Sequence, residues 1–308
     1  VKHNFHFLRH QEQPEYPAAS GFLLNRTTST MLFVPQVEPL TDDEFSRVCR
    51  FIHKKSGIVL TMNKKNMVYN RLLKRLRDCN IGNFSDYLRM LEREPQHPEW
   101  QAFVNALTTN LTAFFREPHH FVTLAEFIRT RKNSPINVWC AASSTGEEPY
   151  SIAMTLSDVL GPNAVNAKVI ASDIDTEVLE RAKQGVYRIE ELKNLSALQR
   201  QRYFMKGVGE FDGYARVKPA LRQMIEFRYL NLSDHDWQLQ HRFDAIFCRN
   251  VMIYFDKEMQ MKMLERFVPL LKPDGLLFIG HSENLSQLSQ SFVIKGQTVY
   301  SLQAARRG

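Results

Sequence analysis

One segment constrains the fold more than any other. It reads Val138-Trp139-Cys140-Ala141-Ala142-Ser143-Ser144-Thr145-Gly146-Glu147-Glu148-Pro149-Tyr150-Ser151. An apolar run with strand character passes through small side chains, bends at one glycine and enters a helical pattern over 149–160. Pro149 falls early in that helix, where a missing N–H costs little. Small residues let a ligand approach the backbone closely, and the crevice beyond the carboxyl ends of such strands is the usual ligand site. Further short apolar runs at 169–172, 245–248, 276–279 and 299–302 alternate with helical stretches at 177–183 and about 257–268. Together with 136–140 they predict an α/β sheet covered by helices on both faces.

The region before this alternation reads differently. Residues 1–38 carry Pro14, Pro17 and Pro35 and a polar run at 27–30, and are expected to form an extended or disordered arm. Capping-box spacing at 41–44 opens a helix whose apolar face holds Phe45, Val48, Cys49 and Ile52. Helices are expected over 64–79, 84–93 and 98–107, so 39–110 reads as a small helical domain and 111–134 as a linker with one helix. The α/β domain then covers 135–302, and 303–308 form a tail. Within it, 203–229 break the alternation: a short helix at 196–203 leads to Gly207, Gly209 and Gly213. The runs 214–218 and 225–229 are read as antiparallel strands of a small inserted β subdomain.

Charge and composition narrow the function classes. The 308 residues carry a formal charge of +7. Between positions 41 and 95, twelve Lys or Arg face seven Asp or Glu, which suits an acidic partner. No run reaches the roughly 18 apolar residues of a membrane span, so a cytoplasmic location is expected. The four cysteines form no close pair and read as free thiols. The ten histidines show no metal-ligand spacing, and the adjacent His119 and His120 are expected to point apart, so no metal is predicted.

The loop at 141–148 is not a dinucleotide fingerprint, because only one of the required glycines is present. Glu147 and Glu148 would also repel a pyrophosphate. They suit a ligand with a positively charged end, such as the ammonium of S-adenosylmethionine, or they are acids favoured by the first helical turn. Asp173 and Asp175 follow the second strand. An acid there accepts ribose hydroxyls or caps the next helix, and two acids allow both. Asn231 and Leu232 could recognise an adenine edge and face, and Asn250 or Tyr254 could lie over a methyl donor.

The segments at 108–117, 141–150, 171–175, 248–255, 271–277 and 280–284 closely resemble the bacterial chemotaxis-receptor glutamate methyltransferases. The resemblance covers about 40–302. It implies a Rossmann-like class I methyltransferase domain joined to an N-terminal helical domain, with S-adenosylmethionine as donor and S-adenosylhomocysteine as product. The acceptors it implies are glutamates on chemoreceptor cytoplasmic domains. Carried over by motif, cofactor contacts fall on Asn110, Thr112, Arg116, Glu147, Asp173, Asn231, Leu232, Arg249 and Asn250. Arg116 and Tyr254 lie closest to the chemistry. Arg71 and Arg75, four apart on the basic helix, meet the receptor or form a solvated face. The inserted β subdomain, near 207–229, docks a receptor's C-terminal pentapeptide. The resemblance further implies a monomer recruited to membrane-bound receptor arrays, without nucleic acid or membrane insertion.

The expected chemistry explains why no Ser-His-Asp or Cys-His set is legible. A glutamate with a reference pKa near 4.3 is already ionised at neutral pH, so displacement at a sulfonium methyl needs alignment rather than a base. Arg116 orients either the acceptor or the cofactor carboxylate. Two rivals remain on sequence grounds. One is a methyltransferase acting on RNA or another acidic substrate, although no aromatic series accompanies the basic residues. The other is a non-catalytic cofactor-binding module.

Overall fold

The computed structural model describes residues 4–5, 37–131, 134–283, 285 and 288–303. Most of the expected arm and the tail beyond 303 fall outside these residues. Asn4–Phe5 is described as a two-residue strand, β1.

The helical domain contains α1 (Asp42–Ser56), α2 (Lys65–Asp78), α3 (Phe84–Arg93) and α4 (Glu99–Leu107). The Thr41–Glu44 capping box forms, with the Thr41 side chain accepting from the Glu44 N–H and the Glu44 carboxylate from the Thr41 N–H. Phe45, Val48 and Ile52 are buried on the inner face, as their spacing requires. Leu72 and Leu76 of α2 and Phe103 and Leu107 of α4 share that core. A connector then leads into α5 (His119–Arg129).

The second unit runs β2 (Ile136–Cys140), α6 (Glu147–Leu160), β3 (Ala167–Asp173), α7 (Thr176–Gln184), β4 (Val186–Arg188), α8 (Ala197–Tyr203), β5 (Phe204–Gly207), β6 (Tyr214–Val217), α9 (Pro219–Arg222), β7 (Ile225–Tyr229), β8 (Phe243–Cys248), α10 (Lys257–Leu270), β9 (Leu271–Ile279), β10 (Phe292–Gly296) and β11 (Val299–Leu302). The main sheet has the order β10-β11-β9-β8-β2-β3-β7. Pairing is parallel from β9 through β7 and antiparallel for β10 and β11. This is the Rossmann-like sheet expected. Strand β2 is buried almost throughout because helices cover both faces.

One expectation is corrected. Residues 225–229 do not join the inserted subdomain. β7 pairs in parallel with β3, Val169 opposite Ile225 and Asp173 opposite Tyr229, and forms an edge of the main sheet. The inserted sheet instead contains β4, β5 and β6, and β1 adds to β5 in parallel with Asn4 opposite Lys206 and Phe5 opposite Gly207.

Candidate active site

The parallel strands β2, β3, β7 and β8 end on one side of the sheet, and the loops that leave them wall a cavity of about 520 Å³. The helical domain, through residues 56–67 and 107–110, and the connector at 111–116 close the opposite wall. This is where an open α/β sheet holds its ligands.

Gly146 makes the first loop possible. It sits at φ +102°, and a Cβ there would lie 2.6 Å from Tyr187 Oη and 3.0 Å from Ala182 Cβ. Helix α6 therefore starts tight against α7 and β4, with Ala141, Ala142 and Ser144 left to face the cavity. Asp173, at the end of β3, faces it too. Its carboxylate accepts the Ser144 N–H at 2.8 Å and the Asp175 N–H at 3.0 Å. Burial pushes its pKa up to about 6, against the pull of those two N–H groups. Asp175 has the other task foreseen for the pair. It caps α7 through the Glu177 and Val178 N–H groups, and it takes hydrogen bonds from Thr108 Oγ1 at 2.6 Å and Asn110 Nδ2 at 2.8 Å. The helical domain is thereby stitched to the sheet beside the cavity.

The two adjacent glutamates also divide. Glu148 lines the cavity; Glu147, the position expected to contact the cofactor, does not. Glu147 is buried and accepts from Thr145 Oγ1 at 2.6 Å, and burial raises its pKa. Neighbouring positions on a helix face different directions, and of this pair it is Glu148 that faces the cavity; the sequence does not say which. Glu148 meets the Arg249 guanidinium at 2.6 Å. Arg249 also approaches Glu117 at 3.2 Å and donates to the Arg116 carbonyl at 2.6 Å. Burial would raise the Glu117 pKa, but Arg249 and the His281 N–H hold it below the usual carboxylate value. Glu148, read from the sequence as a ligand acid, and Glu117, not singled out beforehand, thus fix a buried arginine of the cavity wall.

Asn110, Thr112, Arg116, Asp173, Asn231, Leu232, Arg249, Asn250 and Tyr254 all line this single cavity. They come from segments separated by up to 144 residues along the chain. Arg116 Nη1 donates to the Leu111 carbonyl at 2.9 Å, which fixes its loop. The Asn231 side chain is used internally: its amide donates to the Lys55 carbonyl at 2.8 Å and its oxygen accepts from Ser233. Its contribution is therefore to shape the wall next to Leu232.

Arg71 and Arg75 lie elsewhere. Arg75 forms a fork to Glu99, Nε to Oε1 at 2.8 Å and Nη2 to Oε2 at 2.7 Å, and also meets Asp78. Arg71 donates to the carbonyls of Ala106 and Thr108. Both guanidiniums pin α2 to α4 and its end, so the expected receptor contact does not match their placement. Burial alone would raise the Glu99 pKa, yet Arg75 and Tyr87 Oη draw it down. Lys64, by contrast, is exposed and lines the cavity.

His119 and His120 do not diverge: their ring centroids are 4.2 Å apart. Glu117, His119 and His120 bring ligand-type atoms within 4.8 Å of one another. His120 is buried, its Nε2 lies 2.9 Å from Thr298 Oγ1, and burial with the nearby Arg249 lowers its pKa to about 4. The Glu117 carboxylate is already matched by Arg249. The four cysteines are free thiols, as expected.

A Rossmann-like sheet, one acid at the second strand's exit, a one-glycine loop and a zwitterion-sized set of charges at Glu148 and Arg249 define an S-adenosylmethionine-dependent methyltransferase of class I. Comparison with known proteins narrows this. Residues 110–301 match the CheR methyltransferase SAM-binding domain and residues 43–108 match the CheR methyltransferase all-alpha domain. The chain belongs to the CheR methyltransferase family. It is 57% identical over 275 residues to the chemotaxis protein methyltransferase of Salmonella typhimurium, covering 89% of this chain and 95% of that one. It is 55% identical over 275 residues to the Escherichia coli K12 protein of the same name, covering 89% and 96%. Chemotaxis protein methyltransferase 2 of Pseudomonas aeruginosa is 50% identical over 277 residues, covering 89% and 98%. No helix among the described residues is long and apolar enough to cross a membrane.

Proposed function

We propose that this chain esterifies glutamate side chains on chemoreceptor cytoplasmic domains, using S-adenosylmethionine and releasing S-adenosylhomocysteine. The observation that carries the reading is the set of charged side chains of both signs that converge on the one cavity. Asp173, Glu148 and Arg249 lie at the strand exits of the sheet, and the cations Arg116, from the connector, and Lys64, from the helical domain, also line the cavity. The residues present fit the donor: Asp173 would take the ribose hydroxyls, Leu232 an adenine face, and the Glu148–Arg249 pair the amino-acid end. Bound there, the donor supplies a methyl group on a sulfonium leaving group.

The chain's own residues then align and desolvate the acceptor. The incoming carboxylate is ionised at neutral pH and keeps its lone pair for attack. Arg116 and Tyr254 line the approach and orient it. A firm grip would weaken the nucleophile, so an orienting contact serves better than a buried ion pair. Acceptor access is set by the rim. Val59, Leu111 and Ile253 come from three different loops, all line the cavity, and are 43%, 81% and 49% exposed. Exposed aliphatic side chains gathered around one opening suit a partner that covers them. With Lys64 beside them, they favour an acidic residue carried on an amphipathic protein surface over a free small acid.

On the helical domain, the exposed Lys74 and Arg77 of α2, rather than Arg71 and Arg75, supply the outward positive charge for an acidic receptor. The inserted sheet supports a second, tethering contact. Its β5 strand takes strand addition, as Asn4–Phe5 does there, and a receptor peptide displacing that segment would bind in the way extended peptides bind sheet edges. The enzyme works as a monomer in the cytoplasm, brought to receptor arrays through these contacts. Rates of label transfer to receptor cytoplasmic fragments, with and without their C-terminal tails, test the proposal. Transfer to the fragments and faster transfer with tails are expected. Transfer to RNA in place of the fragments would overturn it.

A further inference from the structure

The motif at 280–284 resembles the family, yet the site described so far gives it no task. Glu283 is 7% exposed. Its Oε2 accepts the Gly280 N–H at 2.6 Å and the Asn250 N–H at 3.0 Å, and its Oε1 accepts the Met252 N–H at 2.8 Å. Among the described residues no Lys, Arg or His forms an ion pair with it. A buried carboxylate without a cation is costly unless hydrogen-bonded. Here backbone N–H groups do that work, as in the anion-binding concavities made by successive amides.

The geometry around this carboxylate is tight. Strands β8 and β9 are parallel neighbours, with Cys248 opposite Ile279. Glu283 therefore ties together the two loops that leave adjacent strand ends. One of these loops carries Arg249, Asn250 and Tyr254 into the cavity wall. Asn250 sits at φ +57°, a conformation few non-glycine residues adopt, and its N–H is held by Glu283. A Cβ on Gly280 would lie 2.3 Å from Asn250 Nδ2 and 2.8 Å from Glu283 Oε2. The glycine and the carboxylate are thus two parts of one arrangement.

We propose that Glu283, seated against Gly280, is a positioning residue for methyl transfer: it fixes the 249–254 loop so that Tyr254 and Asn250 face the reacting groups. It touches neither the cofactor nor the acceptor. Arg249 has independent anchors in Glu148, Glu117 and the Arg116 carbonyl, so loss of Glu283 frees mainly residues 250–254. This inference rests on the reading of Tyr254 as a residue near the chemistry.

The test is Glu283→Gln, which keeps the size but turns a donor toward backbone donors, and Gly280→Ala, which displaces the same contact. Displacement on the order of 1 Å costs about 100-fold in rate. The expected result is a kcat fall of about that size in both variants, with cofactor Kd changing by no more than about tenfold, since Asn250 also touches the cofactor on this reading. Combined with Tyr254→Phe, Glu283→Gln should cost clearly less than the product of the two single effects, because both act on one step. A merely structural role would lower the melting temperature and leave kcat of the folded fraction intact. A Glu283→Gln kcat within about twofold of the parent, or additivity with a Tyr254→Phe variant that is itself impaired, overturns the inference. If Tyr254→Phe is itself fully active, the reading of Tyr254 fails, and the Glu283→Gln rate alone then decides whether the loop needs its clamp.

Discussion

The buried carboxylate of Asp173 makes a prediction with a definite sign. Its pKa stands near 6 because burial disfavours the charge. On the proposed reading the ionised form would accept two ribose hydroxyls, so cofactor binding would need the proton gone. With a pKa of about 6, nearly all molecules are ionised at pH 7.5 and about a tenth at pH 5. Cofactor affinity should therefore fall about tenfold between pH 7.5 and pH 5, a loss of about 1.4 kcal/mol. Stability moves the other way. The folded pKa lies above the unfolded value near 3.9, so this group favours the folded state most below that value. That contribution is lost as pH rises through about 6, and above it the buried charge costs about 3 kcal/mol. Asp173→Asn removes both dependences. It also loses charge-assisted bonds to the ribose at about 1.5–3 kcal/mol each, so affinity at pH 7.5 should drop about 100-fold. Isothermal titration of the donor product against both proteins from pH 5 to 8 measures these values. A flat profile for the parent protein, or an affinity of the Asp173→Asn variant within about threefold of the parent's, would refute the assignment.

Other perturbations have equally direct readouts. Arg75→Ala leaves the buried Glu99 without its cation, with only the neutral Tyr87 and Cys79 beside it, and should destabilise the protein by about 3 kcal/mol in denaturant titration, while the folded fraction keeps its cofactor affinity. Gly146→Ala places a methyl group 2.6 Å from Tyr187 Oη at a positive φ, and should cost at least about 2 kcal/mol and weaken cofactor binding through the displaced loop. Leu111→Asp, at the cavity rim, should leave cofactor affinity unchanged and slow methylation of receptor fragments about tenfold or more; unchanged methylation would remove the rim from acceptor recognition.

Where sequence reasoning reached the structure, the signals were local. The helix over Phe84–Arg93 and the strands Ile136–Cys140 and Val299–Leu302 are bounded as their patterns imply. Six of the nine cavity positions converge because strand exits of one sheet share one side, and Asn110, Thr112 and Arg116 reach them from the connector before α5. Where it failed, tertiary partners decided. β7 alternates Glu226 and Arg228 with apolar residues because it is an edge strand, and that alternation imitates an antiparallel ribbon. Arg71 and Arg75 share a helix face, but the groups that use them lie 24 to 37 residues away. Glu148 and Glu147 differ only in helical phase, and Glu283 acts through backbone amides that leave no mark in the sequence. His119 and His120 lie one residue apart on a helix, yet the cluster with Glu117 and Arg249 draws their rings together.

The most direct measurement is the chemical nature and location of the product. The purified chain, incubated with isotopically labelled S-adenosylmethionine and a chemoreceptor cytoplasmic fragment, should place label on glutamate side chains. Peptide mass spectrometry should find one added methyl per modified glutamate, and mild alkali should release it as methanol. Label that survives alkali, or that resides on lysine, arginine or nucleic acid, would contradict carboxylate methylation.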